Sequence, residues 1–394
     1  MKRVLAIWEL GGGLGHVRRL APMLEALAQQ GCEVQLAARD LMTVAQEFPQ
    51  LTILPAPVPA NQAQRQVARP RSLTEILQVQ GADNPVALSA VLKAWQGLFS
   101  AVKPDVILLD YAPLALFAAA GGPVPVVHVG TGFTLPPDTS PLPDIRTAED
   151  GYPDRLRLME TQVLASVREA RTQIQLDTPD TLGGLFALVD RQVLATWPEL
   201  DPFSHLRGPN SWTGPWSSVG SGCAPIWPDV GEGPRIAAYL KDMPVTRPLL
   251  AFLADRKVPT LCHAPPSVGP PEIETETLRM TQTPFQMGTA LAHAQLGICH
   301  GGHGTTAAYL GAGVPALLLP MHVEQLLTAE QVAASGAGHW ARADDVNGTL
   351  EALEKLLDDT ESFSSATAPF QARHATQGGD RALARSVAAV ESLL

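Results

Sequence analysis

The sequence concentrates little positive charge in any one place, contains few thiols and has no long apolar run. Each scarcity argues against a class of function. Over 394 residues the net charge is −11, with no long basic cluster. That argues against a nucleic-acid partner, because binding a phosphate backbone needs a concentrated positive surface. Cys32, Cys223, Cys262 and Cys299 are widely scattered, with no C-x-x-C pair and no histidine at ligand spacing. They read as reduced, mostly buried thiols of a cytoplasmic protein, not as a disulfide framework. No apolar run approaches a membrane span: the longest, residues 114–129, is cut by Gly121, Gly122, Pro123 and Pro125. The apolar opening, residues 4–8, stops at Glu9 with no cleavage site after it, so it reads as a strand and not as a secretory leader.

What remains is a globular composition, 45% apolar and 17% charged, in a chain long enough for two domains with separate cores. A strand over 4–8, helical spacing from Val17 to Ala28 ended by Gly31, and a strand over 34–37 make an opening βαβ unit. Residues 86–102 read as a helix and 105–110 as a buried parallel strand with Asp110 at its carboxyl end, where open α/β sheets place ligands. A helix over 112–120, a strand over 124–129, the loop Gly130-Thr131-Gly132-Phe133, a long helix over 154–173 and a strand over 193–196 complete the first half. Between 197 and 233 periodicity is lost among prolines, glycines and four tryptophans, Trp197, Trp212, Trp216 and Trp227, which marks a junction. The α/β pattern restarts at 235–240, with strands over 260–263 and 277–280, a helix over 285–294 and another over 326–334. The expected organisation is an N-terminal domain over 1–205, a linker over 206–233, a second domain over 234–375, and a C-terminal helix over 376–394.

The stretch with the clearest chemistry is Leu296-Gly297-Ile298-Cys299-His300-Gly301-Gly302-His303-Gly304-Thr305-Thr306, followed by a second apolar run to Pro320 and by Glu324-Gln325. An apolar run breaking into a glycine loop, a short helical pattern and another apolar run reads as one β-loop-α-β unit. Gly301, Gly302 and Gly304 let the backbone approach a bulky anion closely. Free N–H groups at the helix start, the hydroxyls of Thr305 and Thr306, and His300 supply donors where the helix dipole favours negative charge. His300 and His303 lie without a convergent carboxylate, so no metal site is expected.

From about 283 to 338 this pattern resembles the donor-binding signature of nucleotide-sugar-dependent glycosyltransferases of the GT-B type, especially bacterial relatives of the UDP-glycosyltransferases. The resemblance implies an α/β fold of two Rossmann-like domains facing a central cleft. It also implies that His300 with the Gly/Thr cluster holds a diphosphate, that Glu324-Gln325, usually Asp-Gln, bonds the sugar, and that the last helix crosses back to the first domain. Three positions depart from the plant-type pattern: Gln282 replaces a base-stacking tryptophan, Phe285 a glutamine, and Ala308 the glutamate that grips the ribose. Losing that carboxylate removes a reason to insist on UDP and makes the chain similar to bacterial enzymes that use dTDP-sugars. Uridine is still placed slightly ahead of thymidine.

In the N-terminal loop Gly11-Gly12-Gly13-Leu14-Gly15-His16, with Pro22 following, the same resemblance makes His16 face the acceptor. Imidazole titrates near neutrality and can take the acceptor hydroxyl's proton, and Asp110 can hold the other ring nitrogen. Arg18 and Arg19 either neutralise phosphate or sit on a solvated helix face. The expected activity is inverting, metal-independent transfer of a sugar from a UDP- or dTDP-sugar to a small lipophilic acceptor, without a cofactor, by a monomer or homodimer. Residues 55–85 and 131–153 should line the acceptor side. Two alternatives stay open. One is a nucleotide-sugar hydrolase, because Gly15-His16-Val17-Arg18-Arg19 also resembles the loop of hydrolases of this fold. The other is a non-catalytic family member that binds a sugar nucleotide or a partner.

Overall fold

The computed structural model describes residues 1–12, 15–59, 69–146, 153–216, 222–268, 274–375 and 379–394. Gly13 and Leu14 of the first glycine loop, and parts of the two stretches read as acceptor lining, lie outside the described residues. The chain forms two compact units. The first comprises Met1–Trp197, Phe203–Gly214 and Asp380–Leu394; the second comprises Pro198–Pro202 and Pro215–Gly379.

The first unit is built on a parallel sheet of β1 (Arg3–Trp8), β2 (Glu33–Ala38), β3 (Thr52–Pro55), β4 (Val106–Asp110), β5 (Val126–Gly130) and β6 (Arg191–Leu194), in the order β3-β2-β1-β4-β5-β6. The central strands are uninterrupted apolar runs because helices cover both faces of such a sheet: every residue of β4 and β5 is buried. Strand order reverses between β1 and β4, and their register sets Trp8 beside Asp110. That is the switch point at which such sheets open a crevice.

The helix Pro85–Val102 starts where Asn84 Oδ1 accepts the N–H groups of Val86 and Ala87 and ends at Lys103 in the left-handed region. Contrary to expectation, this helix is long and apolar enough to cross a membrane by length and composition alone. Its Leu88, Val91, Leu92, Trp95 and Phe99 are buried, and it packs on the helices Pro153–Thr172 and Pro113–Ala119. The final helix, Gly379–Glu391, belongs with the first unit from Asp380 onward, where Arg385 donates to the carbonyl of Thr213.

The second unit repeats the topology with β7 (Ile236–Tyr239), β8 (Thr260–His263), β9 (Leu278–Thr281), β10 (Leu296–Cys299), β11 (Ala316–Leu318) and β12 (Gly338–Trp340), in the order β9-β8-β7-β10-β11-β12. Its switch point lies between β7 and β10, where Tyr239 pairs with Cys299. Both units are therefore Rossmann-like. The stretch read as linker divides between them: Trp212 bridges to Leu194 in the first, and Cys223 to Phe285 in the second.

One helix is much shorter than its pattern predicts. Residues 285–294 yield only Met287–Leu291, because Cys223 donates to Pro284 O and accepts from Gln286 N, which pulls Phe285 into the core as a bridge residue. Edge strands β3 and β12, only partly buried, carry no apolar run that sequence reading could detect.

Candidate functional site

Each switch point carries one cluster of polar side chains. In the first unit, β1 runs into Glu9 and Leu10, and the helix Gly15–Gln29 begins one residue before His16. The imidazole of His16 stacks with Trp8, 5.8 Å away by ring centroids, and with Tyr111, 5.7 Å away. Its Nδ1 lies 2.9 Å from Asp110 Oδ1. Tyr111 holds a left-handed φ of 47° while its carbonyl accepts the N–H of Leu10 at 3.0 Å. A non-glycine residue in that region marks a backbone constrained by its surroundings.

Asp110 is fully buried. Burial by itself would raise its carboxyl, but Arg19 and His16 outweigh it and bring the value down to about 2. Arg19 fits neither sequence alternative. Its side chain is only 10% exposed and forks onto Asp110, with Nε donating to Oδ2 at 3.0 Å and Nη2 to Oδ1 at 2.5 Å. The sequence did hold a signal, since positions three apart on a helix share a face. Glu9, read only as the end of an apolar run, accepts the N–H groups of Leu114 and Ala115 at 2.8 and 2.9 Å and so caps the helix that follows Tyr111. Burial lifts Glu9 to about 8 in spite of these bonds. The loop after β5 reaches the same end of the sheet, with Phe133 edge-on to Tyr111 at 6.0 Å.

In the second unit, β10 ends at Cys299, and the helix His303–Gly311 starts with Gly302 as its N-cap, two residues before the expected start at Thr305. Tyr309 anchors this helix from beneath by donating to the carbonyls of Ala237 and Ile298. Gly301 has φ +76°, and a Cβ there would stand 3.1 Å from the backbone oxygen of Gln325. The glycine loop and the start of the helix Val323–Ala334 therefore touch, which brings Glu324 and Gln325 to the loop. The Gln325 oxygen accepts the N–H of Met321 at 2.8 Å. Gly304, by contrast, faces open space, since a Cβ there would meet nothing within 4 Å.

His300 is 8% exposed and its buried Nδ1 has no hydrogen-bond partner. Burial, helped by Lys241 and opposed by the Tyr239 backbone, which draws on the ring without a full hydrogen bond to Nδ1, pulls it down to about 4, so the ring is neutral at pH 7. Lys241 follows β7 across the switch point, and half-burial lowers its own ammonium. Thr305 is half-buried at the first turn. Thr306 turns into the core, its hydroxyl 3.8 Å from Cys299 Sγ. The residues His300, Gly301, Gly302, Gly304 and Thr305 thus surround one helix N-terminus, the natural seat of an anion.

Residues 276–385 match the family described as erythromycin biosynthesis protein CIII-like, C-terminal domain. No curated protein matches the chain in sequence. Among solved structures, the chain is similar to the spinosyn rhamnosyltransferase SpnG complexed with thymidine diphosphate (20% identity, covering 98% of this chain and 100% of that one, TM-score 0.65). It is also similar to CalG4, the calicheamicin glycosyltransferase (19% identity, 100% and 98%, TM-score 0.68). A third is the glycosyltransferase SsfS6 of Streptomyces sp. SF2575, complexed with thymidine diphosphate (19% identity, 98% and 99%, TM-score 0.62). At these identities the likeness is one of fold, and that fold is GT-B, with two Rossmann-like domains.

Proposed function

We propose that this chain, with an EryCIII-like C-terminal domain in a GT-B fold, is a glycosyltransferase moving a sugar from a nucleoside diphosphate sugar to a hydroxyl of a small, lipophilic acceptor. The observation that carries the proposal is the second unit's helix N-terminus. It combines the His300 imidazole beside the loop, a glycine open to approach and a nearby half-buried ammonium. A diphosphate satisfies all three. Because SpnG and SsfS6 bind thymidine diphosphate and Ala308 supplies no ribose carboxylate, a dTDP-sugar is the first donor to test.

His16 acts as the base. With Nδ1–H donated to Asp110, the lone pair on Nε2 takes the acceptor's hydroxyl proton as its oxygen attacks the anomeric carbon. The bond from that carbon to the diphosphate oxygen breaks, and its electron pair leaves with the diphosphate. The helix N-terminus and His300 stabilise the developing charge, so no divalent ion is needed. Attack and departure on opposite faces of the sugar invert the anomeric configuration.

The test is calorimetry with dTDP and UDP, followed by NMR of products from an acceptor screen. Tight binding of one diphosphate and an inverted product, unaffected by EDTA, are expected. Retention of configuration, loss of activity in EDTA, or no binding of either diphosphate would remove the proposal.

A further inference from the structure

A carboxylate that serves a histidine base usually does two things: it holds the ring in one tautomer and it stabilises the imidazolium. Here Asp110 is not free to do the second in full. Both of its oxygens already accept from Arg19, and Arg19 Nη2 also lies 3.0 Å from His16 Nδ1. Since a guanidinium only donates, that short approach has two readings. Either His16 Nδ1–H and Arg19 Nη2–H converge on the same Oδ1, or a bare Nδ1 accepts from Arg19. In the second case Nε2 carries the proton and cannot act as a base.

Other groups around the ring do not decide the matter. Trp8 and Tyr111 stack with it, Glu9 is turned to the helix beyond Tyr111, and His128 on β5 is held near 4 by burial and is neutral at pH 7. Among the described residues, Asp110 and Arg19 are the charged groups bonded at the ring. Asp110 is the stronger acceptor, being ionised, buried and 2.9 Å from Nδ1, so the first arrangement holds.

Taking His16 as the base proposed above, we propose that Arg19 is its positioning residue: by forking onto Asp110 it locks the carboxylate with Oδ1 on Nδ1–H, and by its charge it limits how strongly the imidazolium is held. The proton that the base collects can then leave again after each transfer. A helical residue three positions after the histidine is suited to this because it reaches the carboxylate from the same helix face.

The experiment needs neither acceptor nor donor. Protein labelled with ¹⁵N-histidine is titrated by long-range ¹H–¹⁵N correlation NMR, with the His16 signals assigned from a His16→Asn sample. The wild type is expected to show Nδ1 protonated and Nε2 bare in the neutral form. In Arg19→Gln the imidazolium keeps Asp110 to itself, so the titration midpoint of His16 should rise by ~1 pH unit or more. Arg19→Lys, which retains the charge without the fork, should leave the midpoint near the wild type. Unchanged dTDP or UDP affinity in Arg19→Gln is also expected.

A bare Nδ1 in the wild type, an unmoved midpoint in Arg19→Gln, or weakened nucleotide binding on losing Arg19 would overturn the proposal. If Arg19→Gln misfolds, the wild-type tautomer and the Arg19→Lys midpoint still decide. Failure of the base assignment is a separate result: His16→Ala would then transfer sugar at the wild-type rate, whatever the NMR shows.

Discussion

No side chain fits between Gly11 and His16. A Cβ on Gly11, whose φ is +86°, would stand 2.4 Å from His16 Nε2 and 2.9 Å from Cδ2. The ring has little room to step aside, because it is 6% exposed and stacks with both Trp8 and Tyr111. The nitrogen that Gly11 uncovers is the one proposed to take the acceptor's proton. Gly11→Ala is therefore expected to lower the transfer rate by roughly 10²-fold or more, since a displaced base loses its alignment. Nucleotide affinity, proposed to belong to the second unit, should not change. Wild-type turnover in Gly11→Ala would show that His16 is not the base, or that it moves far more than its packing suggests.

Gly301 and Gly304 stand three residues apart with opposite surroundings, which separates a folding requirement from a ligand requirement. Gly301→Ala places a Cβ 3.1 Å from Gln325 O at a φ of +76°, and should cost stability by about 1–2 kcal/mol. A Cβ at Gly304 meets nothing outside its own helix turn, so thermal unfolding of Gly304→Val should stay within a few degrees of wild type. Its added methyls stand where the phosphate is expected, and dTDP affinity should fall at least about tenfold, or ~1.4 kcal/mol. Calorimetry paired with thermal melts checks both. A Gly304→Val protein that binds normally would move the anion away from this helix.

Much of this was legible because a parallel sheet writes itself plainly. Val106-Ile107-Leu108-Leu109-Asp110 can hardly be anything but a buried strand ending in a charge, and the loop from His300 to Thr306 follows another such strand. What escaped depends on directions that residue types do not specify. Arg19 turns in and not out because Asp110, 91 positions later, waits for it. Thr306 turns inward while Thr305, beside it, stays half-exposed, because the helix starts at His303 and its phase carries position 306 onto the sheet. Phe285 left its helix because Cys223, 62 positions earlier, claims the neighbouring backbone. These are tertiary partners, invisible to local periodicity.

Acid stability should report two of the buried histidines, His128 and His300. Burial is the leading cause that brings His128 in the first unit and His300 in the second each to about 4. Unfolded, both return to ~6.5. Between these values the unfolded chain binds more protons than the folded one, so stability rises with pH. It is lost as pH falls from ~6.5 to ~4, with a slope approaching ~1.4 kcal/mol per pH unit for each histidine. Asp110, held at about 2, adds a further loss only below the unfolded carboxyl value of ~3.9. Glu9, which burial lifts to about 8, acts in the opposite sense as pH rises from its unfolded value of ~4.3 and so offsets His128 in the first unit. Urea titrations at several pH values should show the net slope, and His128→Leu should turn the first unit's slope downward with rising pH. Parallel slopes in wild type and variant would mean that His128 is protonated in the fold.

Glu324 and Gln325 are adjacent, and the sequence pattern gives them one job, but their surroundings give them two. Gln325 is 5% exposed, its oxygen accepts Met321 N–H, and its Cβ and carbonyl form the wall against which Gly301 rests. Glu324, in the first turn of the same helix, is half-buried. If the pair only bonded sugar hydroxyls, alanine at either position would weaken a dTDP-sugar and spare dTDP. The geometry predicts otherwise for one of them. Gln325→Ala removes the bond that closes the turn before the helix and loosens the support of the glycine loop, so dTDP and the dTDP-sugar should weaken together, by about 0.5–1.5 kcal/mol. Glu324→Ala should weaken only the dTDP-sugar, and by more, since hydrogen bonds to a charged group contribute about 1.5–3 kcal/mol. Calorimetry of both ligands on both variants gives four numbers. Equal losses of dTDP affinity in the two variants would mean that Glu324 also shapes the loop and that the sugar is gripped elsewhere.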